Sequence, residues 1–200
     1  MMTRPPSKPV ARAAPDPSDA DILLRLAGGE SGALGELYDR YNQRVRGFVV
    51  RATSDAEDVD DLVHSTFLTA AKIAGRYDGR LSCLPWLMGI AAQLLRRRRR
   101  SFGRFFSVLS AVAGVGATAT DPRPLIHARS DVQRALLQIS EPKRISILMA
   151  EVEGLTCTEI AEALNIPIGT VWTRLHAARR ELRQILEGNG QGAREEGSER

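Results

Sequence analysis

The stretch Gly169-Thr170-Val171-Trp172-Thr173-Arg174-Leu175-His176-Ala177-Ala178-Arg179-Arg180-Glu181-Leu182 reads as one amphipathic helix with two different faces. Val171, Leu175, Ala178 and Leu182 recur at helical spacing and form one apolar stripe, which must be buried. Thr170, Trp172, Thr173, Arg174, His176, Arg179 and Arg180 fall toward solvent. A row of hydrogen-bond donors with one aromatic among them is what a helix needs to lie against DNA.

The residues before this stretch support that reading. Thr156-Cys157-Thr158-Glu159 is a capping box, in which hydroxyl and carboxylate satisfy the first amides of a helix burying Ile160, Ala161 and Leu164. Asn165-Ile166-Pro167 then makes a short turn. Helix, short turn and helix with a basic outer face is the helix-turn-helix pattern. Two further short helices precede it: one on Val132, Ala135, Leu136 and Ile139, the other on Ile145, Leu148, Met149 and Val152, ended by Gly154. Residues 131–186 are therefore expected to form one small helical domain.

The first half is helical by the same criteria. Ser18 with Asp21 caps a helix on Ile22, Leu23 and Leu26 that ends at Gly28-Gly29. Ser31 caps a longer one carrying Leu34, Leu37, Tyr38, Tyr41, Val45, Phe48, Val49 and Ala52. Ser54-Asp55-Ala56-Glu57 reads as a capping box opening a third, on Val59, Leu62, Val63, Thr66, Phe67 and Ala70. A loop over 75–83 holds Arg76, Tyr77, Asp78-Gly79 and Arg80. Pro85 suits the first turn of a fourth helix on Trp86, Leu87, Ile90, Ala91, Leu94 and Leu95, which runs into Arg96, Arg97, Arg98, Arg99 and Arg100.

The expected fold class is thus all-α: two small helical domains, 18–100 and 131–186, joined by a flexible linker over 101–130. The Pro-rich segment 1–17 and the Gly/Glu/Arg-rich segment 187–200 are expected to be disordered tails. The apolar part of the linker, 108–117, is too short and too glycine-interrupted to span a membrane, and the segment 105–117 is expected either to meet a partner or to pack within the linker.

Composition narrows the function classes. Two hundred residues with 43% hydrophobic residues can build real cores, and a net charge of +4 argues only weakly for nucleic acid, so the placement of charge matters more than its sum. Cys83 and Cys157 lack the spacing of a zinc site or a disulfide framework and read as small core residues in a reducing cytoplasm. His64 beside Asp60 and Asp61 is a poor metal or acid–base set. No phosphate-binding glycine loop and no nucleophile with its base is present, so neither catalysis, nor a metal, nor a cofactor, nor a small-molecule substrate is expected.

With these motifs assembled, the chain resembles the extracytoplasmic-function group of bacterial sigma-70-type sigma factors over about residues 20–100 and 131–186. Glu159-Ile160-Ala161, Leu164, Ile166-Pro167, Gly169-Thr170-Val171, Arg174-Leu175 and Ala178-Arg179 match the family's region four. Asp60-Asp61-Leu62-Val63-His64, Phe67, Trp86-Leu87 and Ile90-Ala91 match its region two. The resemblance implies binding to core RNA polymerase through Asp60, Asp61, His64, Ser65 and Leu68. It implies handling of a melted −10 element by the 75–83 loop and the start of the Trp86 helix, where Arg76, Tyr77 and Arg80 supply charge and stacking. Docking of the 169–182 helix in a −35 major groove follows from it too, and an anti-sigma protein becomes a possible partner. The arginine run is read as a phosphate contact.

Departures from the family pattern stand at Ala92-Gln93 and Leu94-Leu95, where an Arg-Asn pair and an Asp are usual, and at Trp172 and Ala177, where basic residues are common. Two rivals remain beside a sigma factor: a helix-turn-helix regulator that never joins polymerase, for which the first domain is dispensable, and a nucleic-acid enzyme, which lacks any convergent catalytic set.

Overall fold

The computed structural model describes residues 17–53, 55, 57–78, 82–113 and 131–196, with the backbone alone at 101–113 and 189–196. The first group of helices is α1 (Asp19–Ala27), α2 (Ser31–Ala52), α3 (Val59–Ile73) and α4 (Cys83–Ala113), with a 3-10 turn at Ala74–Arg76. The second is α5 (Asp131–Gln138), α6 (Glu141–Ile147) continued by a π turn at Leu148–Val152, α7 (Cys157–Leu164) and α8 (Ile168–Glu196). No strand occurs among the described residues.

In the first group α2 packs on α1, α3 and α4, and α3 packs on α4. Ile22, Leu23, Leu37, Val45, Phe48, Val49, Leu87 and Met88 are sealed from solvent at its centre. Burying each such side chain is worth roughly 1.5–3 kcal/mol, so these stripes and not helix propensity hold the group together. In the second group α8 is the spine against which α5, α6 and α7 pack, through Val171, Leu175 and Ala178.

Two of the expected caps form and two do not. Ser18 accepts the Asp21 amide, and Asp21 accepts the Ser18 amide at 3.2 Å. Thr156 and Glu159 repeat the exchange. Ser31, in contrast, is the first residue of α2, with Glu30 in the cap position making no side-chain cap, because the Glu30 carboxylate is taken by Arg25. The box over 54–57 is corrected as well: α3 begins later, at Val59 after Asp58, and Asp55 turns the chain by accepting the Glu57 amide at 3.2 Å. Ser54 and Ala56 lie outside the described residues.

The ends of the expected linker and tail also differ. The backbone of α4 continues without a break through the arginine run to Ala113, and that of α8 to Glu196. The Phe/Val/Ala-rich stretch after residue 100 has no helix breaker strong enough to stop a helix already nucleated upstream. Residues 1–16, 114–130 and 197–200 lie outside the described residues.

The two groups touch. α4 packs on α7 and α2 packs on α5, α6 and the π turn, so one apolar core runs through both. Gly89 makes the closest approach: a Cβ placed there would lie 2.4 Å from the Ala163 carbonyl oxygen, so no larger residue fits without separating the helices. Arg44 crosses the boundary to the Glu153 carboxylate at 3.1 Å and its carbonyl at 3.2 Å. Arg99 reaches Glu141 at 3.6 Å, and Gln133 donates to the Val50 carbonyl at 3.4 Å.

Candidate nucleic-acid interface

The turn between α7 and α8 is built by one residue of unusual conformation. Asn165 takes left-handed φ 51°, ψ 57° and caps α7, while the Ile166 amide returns to the Ala161 carbonyl at 3.0 Å. Asn tolerates this region better than most residues. Pro167 then starts α8, its carbonyl accepting the Thr170 amide at 2.9 Å. Lys143 pairs with Glu181 at 2.6 Å and ties α6 to α8. Arg144, buried, donates to the Leu136 and Leu137 carbonyls that end α5.

On α8, Trp172 is 58% exposed, and Thr173, His176, Arg179 and Arg180 are exposed with it. Thr170 is half-buried. Thr173 spends its hydroxyl proton on the Gly169 carbonyl at 2.9 Å, which leaves its methyl and its oxygen lone pairs for a ligand. Arg179 donates to Glu151 Oε1 at 2.6 Å in an exposed pair, a contact that a phosphate can displace at little cost.

Arg174 corrects the expectation that the whole polar face meets solvent. It is half-buried, and its Nη1 is sealed with no hydrogen-bond partner. Burial first, and the charge of Arg96 second, push its guanidinium below the usual arginine range. Arg96 belongs to α4, so its charge acts on Arg174 only because α7 packs on α4.

Near the 3-10 turn, Tyr77 meets Trp86 edge-on with ring centroids 5.2 Å apart, and both are half-buried. Burial pushes the Tyr77 hydroxyl up. Arg76 is exposed beside them, and Arg80 lies outside the described residues. The arginine run is divided by its surroundings: Arg97, Arg99 and Arg100 are exposed, Arg96 and Arg98 half-buried. Arg98 pairs with Asp58, and Arg99 with Glu141, so the run is not simply a free phosphate surface as expected. Burial raises the Asp58 carboxyl despite Arg98 beside it.

Asp60, Asp61, His64, Ser65 and Leu68 all sit on the exposed face of α3, which the structure brings together as one strip. Asp60 is bonded by Arg46, His64 stacks over Tyr38 at 6.3 Å, and Leu68 is 54% exposed. Sequence reasoning missed the partners Glu141 and Glu153 and the contact at Gly89. A glycine inside an otherwise apolar helical stripe was the available signal, because such a residue usually has a packing reason. Among the described residues, no three His, Cys, Asp or Glu gather to hold a metal, and no helix is long and apolar enough to cross a membrane.

Comparison with known proteins fits this geometry. The family described as "Sigma-70 region 2" matches residues 37–105, and "Sigma-70, region 4" matches residues 129–182. The RNA polymerase sigma factor CarQ of Myxococcus xanthus is 30% identical over 167 residues, covering 82% of this chain and 95% of that protein. The ECF RNA polymerase sigma factor SigK of Mycobacterium sp. (strain KMS) is 30% identical over 183 residues, covering 84% and 91%. In structure, the sigma factor RpoE, solved with the anti-sigma factor NepR from Bartonella quintana, superposes with a TM-score of 0.62 at 21% identity over 76% of this chain and 96% of that one. A two-part helical fold carrying a helix-turn-helix with an exposed outer helix has the form of a DNA-binding protein. The chain belongs to the sigma-70 family of RNA polymerase sigma factors, in its extracytoplasmic-function group.

Proposed function

We propose that this sigma factor divides its work between its two groups of helices as follows. The strip Asp60, Asp61, His64, Ser65 and Leu68 on α3 binds the core polymerase. Arg76, Tyr77, Arg80 and Trp86 hold the opened −10 strand, where an aromatic pair offers stacking and the arginines meet phosphate. Arg96, Arg97, Arg98, Arg99 and Arg100 neutralise backbone phosphates, with Arg98 and Arg99 exchanging Asp58 and Glu141 for DNA. Thr170, Trp172, Thr173, Arg174, His176, Arg179 and Arg180 on α8 read the −35 major groove. The domains run over 18–100 and 131–186, with 101–130 spanning the distance between the two promoter elements. The protein acts in the cytoplasm, makes and breaks no covalent bond itself, and is a target for an anti-sigma protein, as the relative solved with NepR is.

The observation that carries this reading is the exposed row of His176, Arg179 and Arg180 on α8, presented by a capped α7 and a left-handed turn. Transcription from promoter DNA with purified core polymerase tests it. Promoter-dependent transcript is expected only when the protein is added. Absence of both core binding and transcript with inhibitor-free protein overturns it. If the protein binds promoter duplex but never core polymerase, the regulator reading replaces it.

A further inference from the structure

We propose that Gly169, Trp172 and Thr173, with Ile168 beside them, form an apolar reading surface at the leading end of α8 that selects thymine through its 5-methyl group. The inference rests on the −35 reading of α8 above and names the base chemistry that this reading requires. Of the large hydrophobic side chains exposed among the described residues, Leu24, Leu68, Val132 and Val152 stand on four different elements, whereas Ile168 and Trp172 lie one turn apart on α8. Single exposed apolar residues are ordinary, but residues four apart on a helix are neighbours and make a patch.

The patch has a hollow beside it. Gly169 is exposed, and a Cβ placed there meets nothing within 4 Å beyond its chain neighbours and its own helix backbone. Trp172 and Thr173 follow it at three and four positions, and helical side chains lean toward the N-terminus, so an indole and a threonine wall the space over Gly169. Thr173 donates its hydroxyl proton to the Gly169 carbonyl at 2.9 Å, so it offers a methyl and no free proton. The charged side chains come later: His176 one turn on, Arg179 and Arg180 two turns on, all exposed. Charge complementarity therefore sets the trailing turns against phosphate and leaves the leading turns to base edges, the order in which a recognition helix enters the major groove. In that groove thymine presents a methyl where cytosine has only a hydrogen, and apolar contact tells them apart.

Uracil substitution tests this, because it removes the methyl and keeps every hydrogen-bonding group. The full chain assembled on core polymerase is allowed to select from promoter-length duplexes of random sequence, and the thymines of the upstream recovered motif are then replaced by uracil. Wild-type binding is expected to weaken roughly fourfold for each methyl in contact. Trp172→Ala, a change at an exposed side chain, is expected to bind the thymine and uracil duplexes equally. Gly169→Ala fills the hollow while favouring the helix, and should likewise lose the preference with helix content kept. Arg180→Gln should weaken both duplexes alike and keep the wild-type ratio, as the loss of a phosphate contact does. An upstream motif without thymine, equal wild-type binding of the two duplexes, or a thymine preference retained by either Trp172→Ala or Gly169→Ala overturns the proposal and leaves the −35 reading standing. Recovery of a downstream motif with no upstream one overturns the −35 reading and this proposal with it.

Discussion

Arg174 is the residue whose chemistry and placement pull apart. A guanidinium on the second helix of a helix-turn-helix is suited to bidentate contact with guanine, yet here it is half-buried with one nitrogen sealed from solvent. R174A is expected to reduce discrimination between target and scrambled duplex by about 1–3 kcal/mol, measured by competition binding. Unchanged discrimination would assign base reading to His176 and its neighbours. Cys83 makes a second residue-scale prediction. Burial pushes its thiol from an ordinary 9.0 up to about 12, with Asp19 adding to the effect. A folded-state value above the unfolded one gives stability that is complete below the unfolded value and lost as pH rises toward the folded one. Stability should therefore fall between about pH 9 and 12, and Cys83→Ala should fall less steeply in the same denaturant titration. Equal slopes would show that the thiol does not contribute.

α4 carries the greatest load of any element. Its first turns bury Cys83, Leu84, Leu87 and Met88 and admit α7 at Gly89, and its arginines reach Asp58 on one side and Glu141 on the other. One helix thus links the aromatic pair Tyr77 and Trp86 to the boundary between the halves. The phosphate role belongs at this scale, because no single arginine of the run specifies it. Replacing Arg97, Arg98 and Arg100 together with Gln should flatten the salt dependence of DNA binding, by roughly 0.7–0.9 in log–log slope for each phosphate that is no longer neutralised. An unchanged slope means that these side chains serve the protein alone.

For the whole molecule, the consequence lies in how the halves sit. With α7 on α4, the two surfaces proposed for the −10 and −35 elements share one core, whereas two promoter elements a helical turn or more apart need them separated. Opening must break the Gly89 approach, the Arg44–Glu153 pair and the Arg99–Glu141 pair. The exposed members of these pairs are individually weak, so the backbone approach should dominate. Gly89→Leu should force the halves apart, enlarging the radius of gyration in small-angle scattering while helix content is kept and duplex binding strengthens. A variant as compact as the wild type would show that this approach does not hold the closed form.

How much was legible in the chain follows from range. Periodicity, the boxes at Ser18 and Thr156 and the Asn165 turn depend on neighbours a few residues away, and each could be read from the sequence, whereas the strip on α3 came from the family resemblance. The all-α class and the helix-turn-helix came from the same local rules. Two helix starts were read less well: α2 begins at Ser31 with Glu30 in the cap position, its carboxylate held by Arg25, and α3 begins at Val59, beyond the 54–57 box. The ends of α4 and α8 were misplaced because a nucleated helix continues through weak formers. Sequence by itself determined which helices form and which faces carry donors, since both are set within a few turns of chain. Only the tertiary structure decided that Arg174 is half-buried, that Arg98 and Arg99 have carboxylate partners, and that the halves close at Gly89, because charges and backbones far apart in the chain become neighbours only when the helices pack.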